Sequence, residues 1–268
     1  ADYNQSNYGN YTGIGVFSGT IANPSTASTS NSHRLHWTVE NLLTFDRTFN
    51  KLHRVNAVAM YSAEKTTYWG SNMSAKNIPA DAFQFYNLGQ SNSADITVNP
   101  NYQNYNQSGL TSAMGRVMYS FNDRYMLSAT VRTDGSSRLA PGHKWHTYPA
   151  VSAGWNIKDE AFMQSVTFID RLKLRAGYGE TSNQSVDPYK TLGLLSTSPY
   201  NFGDNTYSTG YYVSQLPNPK LGWEFSKTWN YGVDFSMLKS RLTGTIEYYV
   251  QNTDNVLLSV SLPPTSGA

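Results

Sequence analysis

Apolar and polar residues alternate along most of this chain, and a period of two is the pattern of β-strands with one apolar face. Residues 223–235 show the pattern well, because Trp, Phe, Tyr and Val occupy one face while Glu, Ser, Thr, Asn and Asp occupy the other. Similar segments lie at residues 35–45, 125–131, 145–157, 171–178 and 242–250, with weaker alternation at 11–17, 52–61 and 110–121. The alternation therefore predicts an all-β chain with about nine strands.

Helical periodicity is confined to two short segments. Residues 78–88 place four apolar side chains at helical spacing behind Pro79, which suits the first turn of a helix. Residues 159–166 form a second, shorter candidate. We therefore expect two brief helices in a chain that otherwise consists of strands and loops.

The connections between the predicted strands are alternately short and long. Tight turns are predicted at residues 46–48, 122–124 and 238–241, with 158–170 grouped among the short connections, and long polar stretches occupy residues 18–32, 62–109, 133–144 and 181–222. An up-and-down barrel in an outer membrane has short turns at the periplasmic end and long loops outside. The predicted strands of about 10–13 residues are also near the length that a tilted strand needs to cross a bilayer.

Aromatic residues mark both ends of the predicted strands. Five of them flank short turns, namely Phe45, Phe49, Tyr119, Phe121 and Tyr125, and three tryptophans lie at opposite strand ends, namely Trp37, Trp145 and Trp223. Rings at two levels are typical of aromatic belts at the two membrane interfaces. The alternative is that aromatic residues simply favour strands.

The composition narrows the class of protein. The 268 residues include 14% charged and 14% aromatic residues, no cysteine, and a formal net charge of +2. The lack of cysteine excludes disulfides, thiolate metal sites and cysteine nucleophiles, and the small net charge gives no reason to expect nucleic-acid binding. Two classes remain: a soluble extracellular β-sandwich, such as a lectin-like binding module, and an outer-membrane β-barrel.

Residues 125–157 contain a distinctive set of motifs. The run RTDGSSR at Arg132 to Arg138 follows one predicted strand and precedes another that begins Trp-His-Thr-Tyr-Pro and continues to Ser-Ala-Gly-Trp. Residues 172–184 (LKLRAGYGETSNQ) and 218–249 follow as further blocks. Together these motifs resemble the SusC/RagA family of TonB-linked outer-membrane transporters of Bacteroidetes. The resemblance covers residues from 115 to the end well, whereas residues 1–110 match in style only.

The resemblance implies a large antiparallel transmembrane β-barrel of about 22 strands, an N-terminal plug and a TonB-contact segment. It also implies an extracellular SusD-like lipoprotein lid and the import of oligosaccharides or peptides by TonB. We expect residues 1–268 to be an internal barrel segment, without the plug, the TonB-contact segment or the terminal strands. The unpaired edges of nine strands agree, because open edges cannot face hydrocarbon.

The resemblance also implies which molecules surround the barrel segment. They are the lipid and lipopolysaccharide of the bacterial outer membrane, the SusD-like lipoprotein, TonB, and the remaining barrel and plug of the receptor. A passive outer-membrane pore without energy coupling stays open as a further alternative.

No pattern of catalytic or metal-binding residues stands out. Two His-x-x-His pairs at residues 33–36 and 143–146 lack the HExxH pattern and paired carboxylates, so solvated histidines at a loop rim explain them better. Glu224, Asp234 and Glu247 alternate inward on neighbouring predicted strands, as a glycosidase pair would. Because barrel interiors are polar, ion pairing explains these acids more simply. We predict a non-enzyme without metal or cofactor.

Asp134, Gly135, Ser136, Ser137 and Arg138 are predicted to form a structural turn. The Asp and Ser oxygens bond nearby backbone, glycine permits a positive φ, and the arginine can close on the aspartate. We favour this structural role over ligand contact.

Aromatic residues of the predicted long loops are the candidate substrate contacts. Flat rings beside Asn, Ser and Thr suit sugar rings or a peptide backbone, and loops are where recognition residues concentrate. The candidates are Tyr68, Trp69, Tyr200, Phe202, Tyr207, Tyr211 and Tyr212. The alternative is that these rings pack the loops or contact the lid lipoprotein.

Overall fold

The computed structural model describes residues 1–14, 24–99, 102–201, 203 and 207–259. Within these residues the chain forms twelve strands and no α-helix. The strands are β1 (Asp2–Thr12), β2 (Thr26–Phe49), β3 (His53–Lys76), β4 (Ile96–Val98), β5 (Asn104–Phe121), β6 (Tyr125–Ser136), β7 (Trp145–Asn156), β8 (Ile169–Asn183), β9 (Leu194–Asn201), β10 (Tyr207–Gln215), β11 (Glu224–Met237) and β12 (Leu242–Asp254).

The chain divides into two compact units. The larger consists of residues 39–63 and the described residues from Leu110 onward, and its strands are ordered β2, β3, β5, β6, β7, β8, β11 and β12. From β5 onward each of these strands pairs antiparallel with the next in that order. In the same unit β9 and β10 form a separate two-stranded sheet.

The smaller unit consists of residues 1–38 and 64–109. Here β1 pairs antiparallel with the first half of β2, from Asp2 opposite His36 to Thr12 opposite Thr26, and β4 pairs with the end of β3. Counted over the described part of the chain, nine strands follow the main path of the sheet, as the alternation predicts, while β4 lies beside it.

The apolar face of the large unit is exposed. Val151 on β7 lies between Ala129 on β6 and Tyr178 on β8, yet 51% of it is exposed, and Leu127, Trp229 and Ile246 are similarly open. A soluble β-sandwich buries such a face against a second sheet about 10 Å away. The described residues place no second sheet on this face, which argues against the lectin-like alternative.

Strands β2 and β3 are much longer than predicted, at 24 residues each. They extend into segments 18–32 and 62–109, which were expected to be loops. The reason is that Ser, Thr and Asn side chains do not prevent the backbone from pairing, and the β1–β2 ladder continues through residues 26–32 without interruption. Strand β1 is Asp2–Thr12 rather than residues 11–17, of which 15–17 lie outside the described part.

One tight turn lies later in the chain than predicted. Residues 46–48 are still in β2, and the chain turns at Asn50 and Lys51, whose φ angles are 48° and 59°. The turn at Asn122 and Asp123 has φ angles of 50° and 54°, as predicted by its sequence. Two successive positive φ values are typical of type I′ hairpin turns, whose twist matches that of the strands.

The two predicted helices are absent from the described residues. Residues 78–90 contain 3-10 turns at Asp81–Phe83 and Leu88–Gln90, and residues 157–163 contain two more. Ile78 and Leu88 are instead buried in a small cluster with Ala27 and Ala75. The apolar spacing therefore reflects the packing of a loop against strands rather than one face of a helix.

Candidate functional site

The polar face of the large unit carries a network of charged side chains. Arg175 on β8 donates through Nε and Nη2 to the two carboxylate oxygens of Asp234 on β11, at 2.9 and 3.0 Å, and through Nη2 to Glu247 on β12 at 2.7 Å. Thr245 donates to Asp234 at 3.0 Å. Two of the three acids that resembled a glycosidase pair, Asp234 and Glu247, therefore neutralise an arginine, which makes this a structural ion-pair network.

The end of the sheet with short turns carries a ladder of aromatic rings. Phe121, Tyr125 and Trp155 lie on successive strands, with 6.3 Å between the centroids of each neighbouring pair. Glu160, in the short connection after β7, accepts hydrogen bonds from Tyr125 at 2.6 Å and Trp155 at 3.0 Å. These two hydrogen bonds, assisted by Arg124, lower the pKa of the Glu160 carboxyl below its usual value.

The RTDGSSR run begins in a strand rather than in a turn. Asp134, Gly135 and Ser136 belong to β6, and the turn starts at Ser137. The carboxylate of Asp134 is buried, pairs with Arg132 at 2.9 Å and accepts a hydrogen bond from Tyr148. The expected partner, Arg138, donates to the carbonyl of Val186 at 3.0 Å.

Gly135 serves a different purpose from the one predicted. Its φ is not positive; the positive φ in this connection belongs to Gly142, at 83°. A Cβ at Gly135 would lie 2.7 Å from the Cδ2, Cε2 and Cε3 atoms of Trp145. Because three adjacent ring atoms are equally near, the face of the indole covers this position, and only glycine leaves it room.

Tyr68 and Trp69 lie in β3 rather than in a loop. Since successive side chains of a strand point to opposite faces, they cannot contact the same ligand on one face of the sheet. Trp69 stacks on His33 at 4.7 Å, and His33 is hydrogen-bonded to Tyr3 at 2.6 Å. Tyr68 instead lies under the guanidinium of Arg34, at 6.0 Å.

The remaining candidate aromatics are divided by the β9–β10 hairpin. Tyr200 is opposite Ser208, and Tyr212 is opposite Ser196, so both belong to one face, whereas Tyr211 belongs to the other. These three rings are 51% to 72% exposed. Tyr207 begins β10 opposite Asn201, and Phe202 lies outside the described residues. Tyr200, Tyr211 and Tyr212 therefore do not form a single surface.

Among the described residues, no group of three or more His, Asp or Glu side chains is placed to hold a metal ion. Within the same residues, no helix has the length and apolar character to cross a membrane.

The family model described as "TonB dependent receptor-like, beta-barrel" matches residues 1–268. This chain belongs to the TonB-dependent receptor β-barrel family. TonB-dependent receptor P39 of Formosa agariphila is 33% identical over 228 residues, which cover 85% of this chain and 21% of that receptor. TonB-dependent receptor SusC of Bacteroides thetaiotaomicron is 41% identical over 159 residues, which cover 58% of this chain and 16% of SusC. The chain thus spans less than a quarter of the length of these relatives.

Solved structures of the RagAB peptide transporter share the fold of this TonB-dependent receptor chain. One has a TM-score of 0.76 at 21% identity, and the importer in its closed-closed state has a TM-score of 0.78 at 20% identity. Each covers 91% of this chain and 26% of the RagAB chain. The resemblance to SusC/RagA receptors and the antiparallel barrel fold are confirmed.

The family places the chain in the outer membrane, as expected, because SusC/RagA-type receptors are outer-membrane β-barrel proteins. In a barrel wall, the apolar face meets lipid and the polar face lines the interior. Val151 and Ile246 then contact lipid, and the Arg175 network faces the interior. The family consists of transporters and receptors rather than enzymes.

Two features of the site were not predicted from the sequence. Arg132 and Asp134 are two residues apart in a strand and therefore share a face, which is a signal that the motif itself contains. Trp223 was expected in an aromatic belt, yet it is only 6% exposed and its Nε1 donates to the carbonyl of Lys144 at 2.9 Å. No local pattern in the sequence distinguishes that buried tryptophan from an exposed one.

Proposed function

We propose that this chain forms part of the barrel wall of an energised importer that carries oligosaccharides or peptides across the outer membrane. In this proposal a SusD-like lipoprotein covers the extracellular end, and TonB acts through a part of the receptor outside this sequence. The plug and the other barrel strands also lie outside residues 1–268. The chain itself has no catalytic role.

The family match over all 268 residues carries the proposal. The 41% identity to SusC and the fold shared with the RagAB peptide importer support it. For the same two reasons, both oligosaccharides and peptides are candidate substrates. The charged network on the polar face fits a water-filled interior, in which Arg175, Asp234 and Glu247 remain partly hydrated.

Substrate contact is proposed for aromatics beyond the ends of the membrane-crossing strands. Tyr200 and Tyr212 form one pair in the β9–β10 hairpin, and Tyr211 lies on the other face. Of Tyr68 and Trp69, only one can face the passage, because they alternate in β3. Exposed rings near Ser and Thr hydroxyls provide stacking and hydrogen bonding together, as both sugars and peptides require.

An uptake assay in the source bacterium tests the import proposal. Cells with and without the complete receptor gene receive fluorescent oligosaccharides and peptides, and uptake is measured with and without a protonophore. We expect receptor-dependent uptake that the protonophore abolishes. Uptake that survives the protonophore indicates the passive pore instead, and equal uptake in cells lacking the gene contradicts both.

Paired variants test the proposed contacts. Tyr68→Ala and Trp69→Ala are expected to differ, with one lowering uptake by about tenfold and the other leaving it near wild type. Tyr200→Ala and Tyr212→Ala are expected to act alike, because they share a face. Equal uptake by all four variants and the wild type contradicts substrate contact by these rings.

A further inference from the structure

A pocket of about 510 Å³ lies at the end of the sheet that carries the long connections. Three segments form its wall: the start of β7 with the residues before it, residues 218–225 at the start of β11, and residues 255–258 after β12. All three belong to the larger unit. The pocket includes His143 and His146, the pair that the sequence alone explained as solvated loop residues.

Hydrogen bonds hold each segment of the wall in place. The Ala140 amide donates to the Leu221 carbonyl at 3.0 Å, which joins the connection before β7 to the connection before β11. Trp223 reinforces that junction through its bond to the Lys144 carbonyl. The Leu257 amide donates to the Glu224 carboxylate at 2.8 Å and fixes the third segment. The pocket is therefore preformed, which lowers the entropic cost of binding a ligand.

Trp145 supplies a flat apolar surface to the pocket. One face of its indole covers Gly135, and the side chain remains 63% exposed, so the opposite face is open. The ring of Phe225, by contrast, is already in contact with other groups. It stacks on His146 with 5.0 Å between the ring centroids, and the Lys227 ammonium lies 4.9 Å from its centroid. An open indole face in a pocket suits the apolar face of a sugar ring.

The polar residues that line the pocket are hydrogen-bond donors with positive or neutral character. Lys220, His143, His146, Asn218 and Asn255 line it, and neither Asp nor Glu does so among the described residues. The nearest acid in sequence, Glu224, is bonded to the Leu257 amide and to Asn183. Nε2 of His146 is buried without a hydrogen-bond partner in the described part of the chain, which leaves a polar atom to be satisfied.

We propose that this pocket binds an anionic sugar, with the ring on Trp145 and the carboxylate or phosphate near Lys220 and His143. A lysine ammonium is a point charge that binds such oxyanions well. Two sources carry this chemistry: an acidic oligosaccharide from the medium, and the phosphorylated saccharide of lipopolysaccharide in the surrounding membrane. Binding at this pocket does not depend on import, so a negative result in the uptake assay does not contradict the proposed site.

Binding to the complete receptor in detergent tests the proposal. Isothermal titration uses a hexasaccharide of galacturonic acid, neutral maltohexaose, and purified rough lipopolysaccharide. We expect at least one anionic probe to bind about tenfold or more tightly than maltohexaose. Preference for the hexasaccharide identifies the medium as the source, and binding of lipopolysaccharide alone identifies the membrane.

Three variants assign the binding to this pocket. Lys220→Gln and Trp145→Ala are each expected to weaken the anionic probe by about tenfold, while Lys239→Gln, in the short turn after β11, leaves it unchanged. Lys220 is exposed, so its variant reports on binding even where Trp145→Ala lowers stability. Equal affinity for acidic and neutral probes, no binding of either anionic probe, or full affinity in Lys220→Gln overturns the proposal.

Discussion

The indole of Trp145 covers Gly135 on the adjacent strand so closely that a Cβ there would lie 2.7 Å from three ring atoms. The two residues are directly opposite in the β6–β7 register. The glycine of the RTDGSSR run is therefore explained by a contact between strands. A turn conformation is not what requires it.

Gly135→Ala should displace the Trp145 ring and destabilise the receptor by about 1–3 kcal/mol, the usual cost of overpacking. Gly115→Ala is the matched control, because nothing lies within 4 Å of the added Cβ at this strand glycine. We expect that control to stay within about 0.5 kcal/mol of wild type. Denaturant unfolding of the purified receptor measures both. Equal effects of the two variants contradict the close-contact explanation.

Two neighbouring residues of β7 should differ in how much a new positive charge destabilises the protein. Val151→Arg places a cation on the apolar face and should cost about 2–4 kcal/mol if the site is near the bilayer midplane. Ser152→Arg places the same side chain on the polar face, where water is present, and should cost about 1 kcal/mol or less. Folding into lipid vesicles, followed by reversible denaturation, measures the difference. Equal costs contradict the assignment of the two faces.

Arg175 should matter more for local order than for global stability. Arg175→Met leaves Asp234 and Glu247 side by side without their cation, but the arginine is about one-third exposed and water screens the remaining charges. We therefore expect a loss of about 1 kcal/mol or less. The double variant Arg175→Met with Asp234→Asn should recover part of that loss, because it removes one of the two repelling carboxylates. A further loss of thermal stability in the double variant contradicts the ion-pair explanation.

Glu160 should make stability depend on pH at the end of the sheet with short turns. Because the folded state lowers the pKa of this carboxyl, its contribution is complete above the usual pKa of a glutamate and is lost as the pH falls through the lowered value. Wild type should therefore be more heat-stable than Glu160→Gln at pH 7, and the difference should be smaller at about pH 3, below the usual pKa of a glutamate. A difference in melting temperature that is the same at both pH values contradicts this assignment.

The sequence by itself determined the fold class, the number of strands on the main path and which residues share each face. Strand alternation has a period of two wherever one face meets lipid and the other meets water, so residues such as Trp229 and Asp234 carry that information locally. The motifs from Arg132 onward also sufficed to indicate the receptor family. None of this required knowledge of distant contacts.

Only the tertiary structure decided where strands end and which side chains meet. The polar segment of β2 remains a strand because its backbone pairing with β1 continues where the side-chain pattern gives no signal. The pairing of Asp134 with Arg132, the burial of Trp223 and the role of Gly135 each depend on a neighbour brought close by pairing or by loop packing. Local sequence fixes which face a residue occupies, whereas its partner across the sheet depends on register and loop path.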